Sequence, residues 1–143
     1  MNTIILVPLI IAIAISTIPP KEAIFENEAA VFQLVWFDEF NEPGLPDPEK
    51  WGFDTAGNAY GWGNNEAQYY SSNVLKNAYV KDGMLHIRAI RESAGGKDFT
   101  SARLRSLHRG DWQYGRFEIR ARLPSGRGIW PAIWMLPTEW RYG

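Results

Sequence analysis

Apolar and polar side chains alternate without interruption near the C-terminal end of the chain. Phe117, Ile119, Ala121 and Leu123 fall on one face of an extended segment, and Arg116, Glu118, Arg120 and Arg122 fall on the other. This pattern predicts a half-buried strand over 114–123. Pro124, Ser125 and Gly126 break the run, and a second extended segment is predicted over 129–136. There Trp130, Ala132, Trp134 and Leu136 share one side, while Ile129, Pro131, Ile133 and Met135 share the other. Neither side is polar, so the segment is either enclosed in a core or has one face lining a cleft. In a regular strand Trp130 and Trp134 would point the same way about 13 Å apart, far enough to serve separate sugar subsites. The competing reading makes both of them core.

Upstream, the same reasoning predicts strands over 32–37, 78–81, 84–91 and 100–107. Asp82-Gly83 between two alternating runs is a strong hairpin signal, which makes 78–91 one antiparallel unit. His86 alternates against Leu85 and Ile87 and lacks a nucleophile or ligand cluster, so a structural role is expected. Ser101, Arg103 and Arg105 share a face of 100–107. An arginine projecting from mid-strand needs acceptors for its donors, supplied by an acidic side chain or by a ligand. Between Thr55 and Glu66 lies a loop rich in glycine, with Trp62, Asn64, Asn65 and Glu66 side by side. It reads as a ligand loop or as a tight turn whose asparagines satisfy backbone groups. Short strands separated by turns, with no amphipathic helix, predict an all-β sandwich.

Ile4–Ile18 changes the picture at the N-terminus. This apolar stretch is shorter than the roughly 20 residues that span a bilayer and is followed by Pro19, Pro20 and Lys21. Residues 1–23 are therefore expected to be a signal peptide, 24–31 a linker, and 32–143 the N-terminal part of a folded domain that is secreted to the extracellular space. An uncleaved anchor and a buried strand or helix are the alternatives. The 143 residues contain no cysteine, so an exported form has no disulfide framework. A net charge of -1 offers no basic excess for a phosphate backbone, which argues against nucleic acid as a partner. Seven tryptophans exceed what a short domain needs for its core, and together with Asn, Gln, Glu and Arg they suit a neutral polyhydroxylated ligand. No cofactor or metal is expected.

Five segments then add up to a specific resemblance. They are Trp36-Phe37-Asp38-Glu39-Phe40-Asn41, Gly61-Trp62-Gly63-Asn64-Asn65-Glu66 with Gln68-Tyr69-Tyr70, Thr100-Ser101-Ala102-Arg103-Leu104, Tyr114-Gly115-Arg116-Phe117-Glu118, and Gly128 to Leu136. In this order they resemble the laminarinase-like members of glycoside hydrolase family 16, meaning the endo-β-1,3-glucanases and the related β-glucan recognition proteins. The resemblance implies a jelly-roll β-sandwich of concanavalin A type, a β-glucan polysaccharide as partner, and a monomer when full-length. It also implies retaining hydrolysis of O-glycosyl bonds by two carboxylates about 5 to 5.5 Å apart. Active members carry these on a Glu-x-Asp-x-x-Glu strand that follows the Trp-Pro-Ala-x-Trp segment. The sequence contains no such pattern, and adjacent Asp38 and Glu39 would point to opposite faces of a strand. No residue of this chain is therefore expected to be catalytic, and the fold is expected to stop short of the catalytic strand. By resemblance Asn65 binds sugar hydroxyls, Arg103 hydrogen-bonds a glucosyl unit, and Trp130 and Trp134 form the stacking platform. Asn64, Glu66 and Trp140 are weaker candidates. The alternative function is non-catalytic β-1,3-glucan recognition in innate immunity.

Overall fold

The computed structural model describes residues 2–14, 32–57, 62 and 65–139, the first of these segments as backbone. Nine strands are present among them and no helix: β1 (Asn2–Ala14), β2 (Phe32–Asp38), β3 (Gly52–Phe53), β4 (Gln68–Tyr70), β5 (Ala78–Lys81), β6 (Met84–Ala94), β7 (Lys97–Ser101), β8 (Leu104–Arg105) and β9 (Arg116–Arg122). Seven form one sheet in the order β2-β1-β6-β7-β4, with β9 also paired to β1 and β5 to β6, while β3 and β8 form a second, two-stranded sheet. All pairings are antiparallel except β4 with β7.

The hairpin forms as its sequence dictates. Lys81 pairs with Met84, and Asp82 and Gly83 take φ of 54° and 69°, the two left-handed positions of a turn that matches strand twist. Ala78, Val80, Leu85 and Ile87 then share one face. Val80 and Leu85 join Phe40 in the buried core, with Trp51, Ile87 and Leu104 packed against it. On the opposite face His86 stacks on Tyr79, ring centroids 4.5 Å apart and planes parallel within 1°.

Asp38 ends β2 and turns the chain into that core. Its carboxylate accepts the Phe40 N–H at 3.0 Å and Trp51 Nε1–H at 2.7 Å, with Lys50 Nζ at 3.4 Å. Phe40 is thereby held at φ 53° with its ring inside. Asn77, fully buried, plays the same part at the other end of the hairpin. It donates to Arg88 O and Thr100 Oγ1, and it accepts from Ser71 Oγ. Trp51, Trp36, Trp112 and Phe117 form an edge-to-face row with successive centroid spacings of 5.6, 5.5 and 6.2 Å, which links β2 and β9 to the residue before β3.

Three departures from the sequence reading matter. The predicted strand 100–107 is two strands: β7 belongs to the large sheet, β8 to the small one, and the chain changes partner at Ala102-Arg103. Ser101 O accepts the Ser71 N–H at 2.9 Å on one side of the crossing, and Arg103 O accepts the Asp54 N–H at 2.8 Å on the other. Secondly, 129–136 is irregular rather than a strand. Pro131 and Pro137 carry no N–H, and no neighbouring strand pairs with the segment among the described residues. Thirdly, Asn2–Ala14 of the expected leader forms the central strand of the large sheet, paired to β6 and β2 along one edge and β9 along the other. Its ladder to β9 shifts register between Val7 and Leu9, at Pro8, which cannot donate. Residues 15–31, with the rest of the leader and the linker, lie outside the described residues.

Candidate functional site

The change of sheets at Ala102-Arg103 puts Arg103 where no ladder constrains its side chain. Its guanidinium carbon lies 4.5 Å from the centroid of the Trp62 ring and 4.7 Å from that of Trp134. A flat cation between two indoles is a favourable arrangement, since each ring presents negative quadrupole density to the charge. Arg103 Nε forms an ion pair with Asp54 Oδ2 at 3.2 Å, and Arg105 Nη1 lies 3.5 Å from the other oxygen of the same carboxylate. Asp54 is buried, and a buried carboxylate with two guanidiniums has the partners its desolvation demands.

Behind Trp62 a second group is built. Tyr70 meets Trp62 edge-to-face at 5.1 Å, and its hydroxyl donates to Glu66 Oε2 at 3.0 Å. The Gln68 amide donates to the same oxygen, and Lys97 Nζ caps the Glu66 carbonyl at 2.8 Å. Burial, reinforced by the negative charge of Glu66, pushes the Tyr70 phenol up to about 12. The strand β4 that carries Gln68 and Tyr70 lies parallel to β7, which leads directly into Arg103.

Of the residues singled out from the sequence, Arg103 and Trp134 are brought into contact. Asn65 sits at the turn just before Glu66 with φ 54°, a left-handed position that asparagine tolerates. Trp130 is 79% exposed and Trp134 56% exposed, so neither is core in this structure. The irregular 129–136 segment does not set their spacing as a strand would. Asn64 and Trp140 lie outside the described residues. Trp62 belongs to the glycine-rich loop that the sequence marks as a ligand loop or a tight turn, whereas nothing in the sequence points to Asp54. A mid-strand arginine signalled that an acidic partner or a ligand must exist, but which carboxylate answers it depends on the β3–β8 pairing.

Chemically, the cluster can bind and orient a flat, hydroxylated ligand: an indole face exposed on Trp134 for stacking and guanidinium donors for hydroxyls. Asp54 is occupied by two arginines and Glu66 by two donors, so neither faces a partner carboxylate across open space. Among the described residues no group of three or more His, Cys, Asp or Glu side chains could hold a metal ion. A separate open groove of about 490 Å³ is lined by Val35, Trp36, His108, Arg109, Gly110, Asp111 and Trp112 and shares no residue with the Arg103 cluster.

Comparison with known proteins adds a family to this geometry. Residues 9–143 match the family model described as beta-glucan synthesis-associated protein SKN1/KRE6/Sbg1. The chain is 56% identical over 117 residues to a beta-glucanase of Rhodothermus marinus, covering 82% of this chain and 40% of that protein. It is 47% identical over 115 residues to a glucan endo-1,3-beta-glucosidase of Cryptopygus antarcticus, covering 77% and 40% respectively. Among solved structures, the laminarinase from Rhodothermus marinus superimposes with a TM-score of 0.72 at 58% identity, over 78% of this chain and 43% of that one. The chain thus spans about two fifths of the length of the relatives it matches.

Proposed function

Because the chain belongs to the family of beta-glucan synthesis-associated SKN1/KRE6/Sbg1 proteins and to the laminarinase-like glycoside hydrolases of family 16, with their jelly-roll β-sandwich, we propose that the whole protein hydrolyses β-1,3-glucan of the laminarin type. This chain supplies the binding side of the cleft. Arg103 donates to sugar hydroxyls, Trp134 and Trp130 stack on pyranose faces, and Asn65 hydrogen-bonds a neighbouring hydroxyl. The observation that carries the reading is the Arg103 guanidinium held between Trp62 and Trp134, a preformed polar and aromatic surface for a neutral saccharide.

In this reading the two carboxylates of a retaining mechanism lie outside the 143 residues. In the same reading the apolar stretch within 1–23 directs export and the whole protein works outside the cell, as a monomer. Incubating the whole protein with laminarin and following the anomeric signals by NMR tests the proposal: new reducing ends appear first as the β anomer. The 143-residue chain alone binds laminarin and releases no reducing sugar. Binding by the whole protein without any product would replace hydrolysis with glucan recognition, and absence of binding would overturn both.

A further inference from the structure

Arg103 is not held by its two indoles alone. Stacking fixes the height of a guanidinium above a ring but leaves it free to turn in its own plane, because the attraction depends little on that rotation. The in-plane angle decides where the donors point. Here it is set from one direction: the Asp54 carboxylate pairs with the guanidinium at its Nε, Oδ2 lying 3.2 Å away. Nε lies on the side edge of the planar fork, so a carboxylate bonded there leaves the terminal edge, with its Nη donors, turned away from the acid.

Asp54 is itself held on several sides. It follows β3 directly, its N–H is bonded to Arg103 O at 2.8 Å, and its second oxygen faces Arg105 Nη1 at 3.5 Å. Only 8% of the residue is exposed. The same two residues are therefore tied twice, once through backbone and once through side chains, across the point where the chain passes from the large sheet to the small one.

We propose that Asp54 is a positioning residue for the saccharide site: it locks the in-plane orientation of Arg103 so that donor edge and Trp134 face meet a glucosyl unit already aligned. The proposal rests on the reading of the Arg103 cluster as the glucan-binding surface. Preorganisation of this kind saves the ordering cost that a free arginine would incur on binding. Arg105 lies on the other oxygen of Asp54, so the carboxylate faces a guanidinium on each side.

The test compares Asp54→Asn, Asp54→Glu and Arg103→Ala with the unsubstituted chain. Affinity electrophoresis through laminarin gels reads binding, and the Nε–H resonance of Arg103 reads orientation. The amide of Asp54→Asn keeps the size but loses the charge of the ion pair. Laminarin affinity is then expected to fall about tenfold, the equivalent of one charged hydrogen bond. The Nε–H signal is expected to lose its protection from exchange with water while circular dichroism stays that of the parent. Asp54→Glu restores the charge and recovers part of both losses. Unchanged affinity and an unchanged Nε–H signal in Asp54→Asn overturn the proposal, as does an affinity loss that Asp54→Glu does not relieve. Failure of the unsubstituted chain to bind laminarin is a different result, which removes the site reading itself and the proposal with it.

Discussion

Trp134 presents its ring to the Arg103 guanidinium at 4.7 Å while more than half of its surface stays open to solvent. One face is committed to the cation and the residue is anchored at the cluster, yet it is not part of the packed interior. The distinction has an energetic consequence. Replacing a core tryptophan by alanine costs roughly 3–5 kcal/mol of stability, whereas removing a half-exposed one costs mainly the contact it makes.

Trp134→Ala and Arg103→Ala are accordingly expected to weaken laminarin binding by about 1–3 kcal/mol each, through lost stacking and lost donors respectively. The thermal midpoint of Trp134→Ala should stay within a few degrees of the parent. Measuring both on the same preparation decides the matter: a collapsed midpoint with normal affinity would return Trp134 to the core.

How much of this was legible in the sequence depends on whether the relevant contact is local. The 78–91 hairpin was fully readable, because alternation and Asp82-Gly83 specify face, register and turn within a few residues. The alternation of β9 was equally plain, and Phe117 and Ile119 are half-buried as read, though Leu123 is 55% exposed because the apolar face is covered only along part of its length. The segment 129–136 had every apolar residue a strand needs, but a strand exists only where another donates to it, and that information is not local. Arg103 was selected correctly as needing a partner. Its partner Asp54 became visible only when β8 left the β7 line and joined β3.

Tyr70 gives the molecule a readable alkaline signature. Its phenol titrates near 12 in the folded chain against 10 for an unperturbed tyrosine, first because it is buried and then because Glu66 is negative beside it. With the folded value raised, the unfolded chain loses this proton first as pH rises, so the unfolded state binds fewer protons between about pH 10 and 12 and stability falls across that window. Below pH 10 both states are protonated and the group contributes no slope. Denaturant titrations at pH 9, 10 and 11 should show the decline, and Tyr70→Phe should flatten it. An identical slope in the phenylalanine variant would place its origin elsewhere.

Asp38 is the carboxylate on which the core entry depends. Its two oxygens satisfy the Phe40 amide and the Trp51 indole, and its removal leaves one buried and one partly buried donor without a partner. Leaving such groups unsatisfied costs about 1–3 kcal/mol each, so Asp38→Ala is expected to lower stability by about 3 kcal/mol. Near-ultraviolet circular dichroism should weaken too, because Trp51 is released from Trp36 and Phe40. A midpoint shift of under a degree would show that water replaces the carboxylate.

The last prediction concerns β1, where two roles meet in one segment. Residues 5–12 of β1 form the ladder to β9, and residues 9–14 form the ladder to β2. Neither β2 nor β9 has another strand partner among the described residues. Deleting residues 1–23 from the chain, as processing by a signal peptidase would, therefore strips β2 and β9 of their strand partner and β6 of its ladder over 85–89, while leaving the Phe40–Val80–Leu85 core and the 78–91 hairpin. Amide hydrogen exchange should separate the halves. Protection in β5 and β7 persists, β6 keeps that part which its ladders to β5 and β7 supply, and protection over 32–38 and 116–122 falls toward that of an unfolded chain. The exposed faces of Phe32, Leu34, Val35 and Phe37, already open to solvent, then take up a hydrophobic dye and drive self-association. Retained protection over 116–122 in the shortened chain would mean that β9 finds its neighbour without β1, and the central position of that strand would no longer account for the order of the sheet.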